Sequence, residues 1–243
     1  MNAGKNHRFT VSGVLVHNCG YGGGVAALKA FGADKMGLTE PEMQEIVTQW
    51  RTASPMIPRL WRKVEEAAIH ALENPGRTYT VQRKVYDPDR AGENEDATGG
   101  DGFSPYFNAG SPVCTFKRDD DALRCTLPSG RRLSYWGAVF YDGKIQFRGV
   151  GEGKKFVWLD TWGGKLVENI VQAFARDCLA TAIVRLDKAG YRICFHVHDE
   201  IIAEAPAGAR WEDMAAVMSA PIKWAPGLLL PADGYSTRFY KKD

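Results

Sequence analysis

From residue 113 to residue 158 apolar and polar residues alternate, interrupted at Pro128-Ser129-Gly130 and at Asp142-Gly143. A period of two sends successive side chains to opposite faces of a strand, and Pro, Gly, Asp and Ser mark the turns between strands. The segment therefore predicts consecutive antiparallel strands. The chain around it is helical. Thr39 and Glu42 have the spacing of a capping box, and Met43, Ile46, Val47 and Trp50 follow at three- to four-residue intervals. Ser54-Pro55 interrupts that pattern. A second helix is predicted from Ile57 to Leu72, stopped by Asn74-Pro75-Gly76. A long helix is expected over Trp162 to Lys188 and a short one over Trp211 to Met218, with further strands at Phe9–Val16, at residues 77–86 and on both sides of His198-Asp199. The fold class expected is α+β, an antiparallel sheet with helices.

At 243 residues the chain has room for one or two domains. It carries 31 Lys+Arg against 29 Asp+Glu, a net charge of +2. That excludes the broad basic surface of a protein that coats nucleic acid, but leaves room for a local basic cleft. The five cysteines, Cys19, Cys114, Cys125, Cys178 and Cys194, are odd in number and show no CxxC spacing. Neither a disulfide framework nor a zinc knuckle is expected, and a reducing cytoplasm is the default location. No apolar run approaches the roughly 18 residues of a membrane span, and the N-terminus lacks the apolar core of a signal peptide. Asp87 to Pro112 is acidic, rich in glycine and nearly free of aliphatic residues, and is expected to be a mobile loop without chemistry.

The segment Ile193-Cys194-Phe195-His196-Val197-His198-Asp199-Glu200-Ile201-Ile202-Ala203-Glu204 sets three consecutive polar residues between two apolar strands. Such a hairpin lifts Asp199 and Glu200 to its tip, and buried strands would hold them rigidly. A rigid tip carboxylate suits a hard cation such as Mg²⁺, which accepts a few carboxylates and keeps positions open for phosphate oxygens. An ordinary turn would also contain Asp, so local composition alone leaves both readings open. Val-His-Asp-Glu between hydrophobic strands, followed by Glu204-Ala205-Pro206, resembles motif C of family A DNA polymerases. The resemblance implies that Asp199 is one of two aspartates holding the catalytic metals, that Glu200 assists nearby and that His198 lies toward the primer terminus.

On the helix before the hairpin, Lys165, Asn169, Gln172 and Arg176 step by four, three and four residues. At about 100° per residue they share one face, with Leu166, Ile170 and Phe174 placed to pack inward. A polar stripe of this kind is often simply solvated. The wording Gly163-Gly164-Lys165-Leu166-Val167-Glu168-Asn169-Ile170-Val171-Gln172-Ala173, and Leu127-Pro128-Ser129-Gly130-Arg131-Arg132-Leu133 upstream, resembles the phage branch of the same family. There the glutamine contacts the minor-groove side of the primer–template, where every base pair shows acceptors. The family has its asparagine four residues before that glutamine. Here that position holds Glu168, so the correspondence is closer for Gln172 than for Asn169.

Gly20-Tyr21-Gly22-Gly23-Gly24 reads as a flexible turn, and would serve as a phosphate cradle only between a strand and a helix in the right register. It also resembles the end of motif B, the fingers helix of phage polymerases, and Tyr21 matches the tyrosine beside the templating base. The Lys and Arg of that motif would precede Cys19. In their place stands His7-Arg8-Phe9-Thr10-Val11-Ser12-Gly13-Val14-Leu15-Val16-His17-Asn18, which resembles the C-terminal end of an intein. The chemistry suits that resemblance. The Asn18 side-chain amide can attack its own carbonyl and cut the peptide bond as a succinimide forms. His17 and His7 can move protons near neutral pH, and Cys19 supplies a thiolate.

The expected organisation is an intein C-terminal segment at 1–18, the end of the fingers helix with following helices at 19–76, a β-rich segment at 77–160 and a palm segment with motif C at 161–243. The resemblance implies template-directed DNA synthesis, with primer–template DNA and dNTP as partners and two Mg²⁺ ions only partly held by this chain. Motif A, with the second aspartate, is expected on an N-terminal polymerase half that carries the intein N-segment, and the chain alone is expected to be inactive. Two other readings stay open. One is an inactive, DNA-binding remnant. The other is a metal-dependent hydrolase built on His196, His198, Asp199 and Glu200, with His70 as the one histidine left outside the intein segment.

Overall fold

The computed structural model describes residues 9–11, 14–16, 22–82, 84–86, 106–108 and 112–240. Along the chain come strands β1 (Phe9–Val11) and β2 (Val14–Val16), then helices α1 (Val25–Ala30), α2 (Glu40–Ala53) and α3 (Met56–Glu73). Strands β3 (Thr78–Val81), β4 (Lys84–Tyr86) and β5 (Tyr106–Asn108) follow. Next are β6 (Cys114–Asp119), β7 (Ala122–Thr126), β8 (Arg132–Tyr141), β9 (Lys144–Val150) and β10 (Phe156–Thr161). Helix α4 (Gly163–Lys188), strands β11 (Arg192–Val197) and β12 (Glu200–Glu204), and helix α5 (Trp211–Met218) close the order. The α+β class is as expected. Most of residues 87–112 lies outside the described residues, but β5 falls inside that stretch and pairs antiparallel with β4.

The chain divides into two compact units, one of Met1–Val81, Cys114–Thr126 and Arg132–Ile170, the other of Gln82–Val113, Leu127–Arg131 and Val171–Asp243. The first contains an antiparallel sheet in the order β10-β9-β8-β7-β6-β3. The alternation read from residue 113 onward decides its two faces. Cys114, Phe116, Leu123, Cys125, Tyr135 and Ile145 are buried on one side. Helix α3 lies against β3, β6, β7 and β8, and buries Trp61, Val64, Ala67, Ala68, Ala71 and Leu72 at helical spacing. Each large side chain buried there is worth roughly 1.5–3 kcal/mol. The C-terminus of α3 is tied to the sheet by Arg118, whose Nη1 donates to the Leu72 carbonyl at 3.1 Å.

Helix α2 starts where the capping box places it: the Glu42 carboxylate accepts from the Thr39 backbone N–H at 2.8 Å and from its hydroxyl at 2.7 Å. Those bonds, the hydroxyl's first, hold the Glu42 carboxyl below its ordinary range. Helix α4 begins at a packed crossing. A Cβ at Gly163 would lie 2.1 Å from the Trp61 carbonyl oxygen, so only glycine lets α3 and α4 approach this closely. Trp162, just before it, meets Trp61 edge-on at 5.8 Å.

In the second unit the remainder of α4 packs through Cys178 on Ile222 and Ala225, with Phe174 edge-on to Trp224 at 5.1 Å. Arg185 anchors the chain after α5 by donating from Nη1 to the Ala220 carbonyl at 2.5 Å and from Nη2 to that of Pro221 at 2.6 Å. The helix ends at Gly190, whose φ of 87° permits the Tyr191 N–H to return to the Leu186 carbonyl at 3.0 Å.

Candidate active site

Strands β11 and β12 pair from Arg192↔Glu204 to Val197↔Glu200, which leaves His198-Asp199 as a two-residue loop. Loops of that length need positive φ at their first position to match the strand twist, and His198 takes φ of 50°. For a residue with a Cβ the left-handed region costs about 1–2 kcal/mol, which the paired strands must supply. At the other end Ile193 faces Ala203 while Phe195 faces Ile202, so Cys194 is the extra residue of a β-bulge. A bulge bends its strand and re-aims the side chains beyond it. His198, Asp199 and Glu200 thus stand together at an exposed tip.

The expectation of buried strands beneath that tip is corrected. Arg192, Cys194, Phe195 and His196 of β11 are exposed, while Ile193, Val197, Ile201, Ile202 and Ala203 are half-buried. Among the described residues β11 and β12 form a sheet of two strands, and such a ribbon cannot bury both its faces. What supports it locally is modest. Phe195 meets Tyr240 edge-on at 5.2 Å, and Arg192 pairs with Glu204 at 3.2 Å.

The four stripe residues of α4 have different surroundings. Lys165 is exposed and pairs with Glu168 at 2.7 Å. Asn169 is half-buried and donates from Nδ2 to the Tyr135 hydroxyl at 3.2 Å, which gives it a structural partner. Burial pushes the Tyr135 hydroxyl up to about 12, with the Asn169 bond pulling the other way. Gln172 and Arg176 are exposed near the middle of the helix.

A neighbouring acid escaped the sequence reading. Asp177 is 8% exposed and accepts from the Ser129 hydroxyl at 2.5 Å and from Arg131 Nε at 2.7 Å. The Leu127–Arg131 turn, with Gly130 at φ of 87° and its Leu127 N–H bonded to the Arg131 carbonyl at 2.8 Å, is thereby latched to α4 beside Arg176. The signal was present: an acid on the face that also carries Phe174 and Cys178 demands a partner.

The glycine turn has a packing role. A Cβ on Gly22 would come within 1.9 Å of the Trp162 ring and one on Gly164 within 2.3 Å. Helix α1 after the turn has only 6 residues. Tyr21, and the splicing residues His7, His17, Asn18 and Cys19, lie outside the described residues, although β1 and β2 pair there as Phe9↔Val16 to Val11↔Val14. His70 is spent on packing, its ring tilted against Tyr79 at 5.5 Å.

Among the described residues no three His, Cys, Asp or Glu side chains converge as a metal site. The donor set here is one pair of adjacent tip carboxylates. That fits one side of a Mg²⁺ site, because the ion takes one or two carboxylates and fills its remaining positions with water and phosphate oxygens. No helix of the described residues is long and apolar enough to cross a membrane.

The chain is 41% identical over 237 residues to a DNA polymerase of Bacillus phage SP02, an alignment covering 92% of this chain and 31% of that protein. The chain thus spans 31% of the length of the curated relative it matches. No protein-family model matches it, and no solved structure does.

Proposed function

We propose that the chain is the C-terminal part of a family A DNA polymerase and takes part in nucleotidyl transfer from dNTP to a primer 3′ end. The observation that carries the proposal is the His198-Asp199 two-residue loop, which presents at a hairpin tip the carboxylate of a segment resembling motif C, in a chain 41% identical over 237 residues to a phage DNA polymerase. Asp199 would hold Mg²⁺ together with an aspartate from a polymerase segment outside this sequence. Bound there, the ions would neutralise charge developing on the phosphate oxygens. Glu200 would assist from the next position, and the imidazole of His198 would orient the primer terminus. Exposed Gln172 and Arg176 would meet the primer–template, with Tyr21 beside the templating base and Lys165 toward the backbone. Asn169, on the same helix side, would meet the primer–template with them while its Nδ2 donates to the Tyr135 hydroxyl. We also propose that residues 1–18 are an intein C-terminal segment, with His7, His17 and Asn18 acting in cleavage and Cys19 in ligation.

The test is primer extension by the polymerase assembled from this chain and its N-terminal half. Asp199→Asn should lower turnover by at least about 10²–10³, the scale of losing one preorganised electrostatic group, and Glu200→Gln should lower it less. Near-wild-type extension by the Asp199→Asn enzyme would refute the assignment.

A further inference from the structure

The side of the large sheet turned away from α3 carries a ladder of rings and guanidinium groups that nucleotidyl transfer does not use. Register sets Arg148 of β9 opposite Trp136 of β8 and Trp158 of β10, and Phe156 shares the face of Trp158 two residues earlier. The Arg124 guanidinium lies 4.7 Å from the Trp136 ring centre, and that of Arg148 lies 5.6 Å and 5.8 Å from Phe156 and Trp158. The arrangement depends on a β-bulge. Between Trp136↔Arg148 and Val139↔Gln146 strand β8 holds one residue more than β9, and Gly137 takes φ of 59°. A Cβ there would only touch the Arg148 stem, at 3.4 Å, so it is the positive φ that favours glycine.

These rings are open to solvent: Trp136 is 45% exposed, Trp158 52% and Phe156 58%. Large aromatic rings grouped on one surface mark interaction sites on soluble proteins. The charge on this face is one-sided. By strand alternation Lys117, Arg124, Arg132, Lys144 and Arg148 point the same way, and the acids among them are already paired. Asp119 is bridged by Lys117 at 3.4 Å and Arg124 at 3.9 Å, and Asp160 by Lys144 at 3.5 Å and Gln146 at 2.8 Å. Arg148 retains an exposed cation beside the rings, Arg132 is exposed four residues along β8 from Trp136, and exposed Lys154 and Lys155 lead directly into Phe156.

We infer that this face binds single-stranded nucleic acid, bases stacking on Trp136, Phe156 and Trp158 while phosphates meet Arg148 and the flanking cations. Alternating rings and cations suit a strand whose bases and phosphates alternate in the same way. A duplex keeps its base faces inside the stack and would engage the cations alone, so the exposed rings select the single strand. The inference rests on the sheet face and is independent of the metal-site assignment.

The test uses the full chain and a fluorescein-labelled oligothymidylate read by anisotropy, with a labelled duplex in parallel. Binding to the single strand is expected, weakened about 5- to 160-fold by Trp158→Ala, the scale of losing one base–aromatic stack. Trp158→Phe should restore most of it. Arg148→Gln should reduce the log–log salt slope by about 0.7, one phosphate contact on a single strand. Equal melting temperatures for Trp158→Ala and wild type would show that the lost ring, and not a lost fold, accounts for the weakening. Single-strand affinity unchanged in the Trp136→Ala/Trp158→Ala protein would overturn the inference, as would absence of single-strand binding by the wild type. Equal losses for single strand and duplex would overturn it too, since only phosphates would then be engaged. Primer extension by the assembled Asp199→Asn enzyme reports on the other assignment and leaves this one untouched.

Discussion

Asp177 offers a quantitative probe of how the Leu127–Arg131 turn is held. Its carboxylate, 8% exposed, accepts the Ser129 hydroxyl at 2.5 Å and Arg131 Nε at 2.7 Å. A hydrogen bond from a neutral donor to a charged acceptor contributes about 1.5–3 kcal/mol in such surroundings. The Arg131 side chain is 40% exposed, so solvent screens its ion pair and its share falls to roughly 0.5–1 kcal/mol. Asp177→Ala should therefore cost about 2–4 kcal/mol, of which the Ser129 bond is the larger part. In a chain of this size that lowers the melting temperature by roughly 4–16 °C, measurable by circular dichroism. Asp177→Asn keeps an oxygen for Ser129 and loses the charge, so it should fall between Asp177→Ala and wild type. Arg131→Ala should cost least. Melting of Asp177→Ala within about 2 °C of wild type would refute the reasoning. If Arg131→Ala matched Asp177→Ala in cost, the division between the two bonds would be wrong.

Two further outcomes are expected. The Tyr135 hydroxyl, pushed up to about 12 by burial from an unfolded value near 10, contributes stability present in full below pH 10 and lost as pH rises toward 12. The stability difference between wild type and Tyr135→Phe, measured by urea unfolding, should shift by about 2–3 kcal/mol across that window, and parallel profiles would contradict it. For the splicing proposal, mixing the chain with a polymerase half ending in an intein N-segment should give a product joined at Cys19. Asn18→Ala, which has no side-chain amide to cyclise, should abolish release of the intein piece, and a ligated product from that variant in mass spectrometry would sink the proposal.

Local pattern carried the fold where local physics decides it. The capping box at Thr39 and Glu42, the break at Ser54-Pro55 and the alternation beyond residue 113 are each written within a few residues, and each element formed where those residues place it. Partnership across the chain was not legible in the same way. The order β10-β9-β8-β7-β6-β3 brings β3 to the sheet edge beside β6 because α3 delivers it there, past a segment of more than thirty residues that no periodicity describes. The glycines at 22, 163 and 164 read as flexibility or motif. Their structural need is close approach to Trp162 and to the Trp61 backbone, and nothing in a run of glycines says which ring will press on it.

The same division runs through the site. The spacing of Lys165, Asn169, Gln172 and Arg176 correctly assigns one side of one helix, since that follows from the helical step alone. It cannot say which of them faces water, because Asn169 is claimed by a tyrosine 34 residues earlier in sequence. At the hairpin the polar triplet locates the turn, and register bears it out to the residue. The apolar composition of the flanking strands suggested burial, yet Phe195 is 43% exposed. Apolar residues in a strand predict burial only where a second layer lies over them, and among the described residues no third strand pairs with β11 or β12. The result is a two-stranded ribbon with a carboxylate at its tip and half-open apolar flanks. Its rigidity, and with it the precision any metal chemistry at Asp199 demands, would increase when another strand or surface closes on β11 and β12.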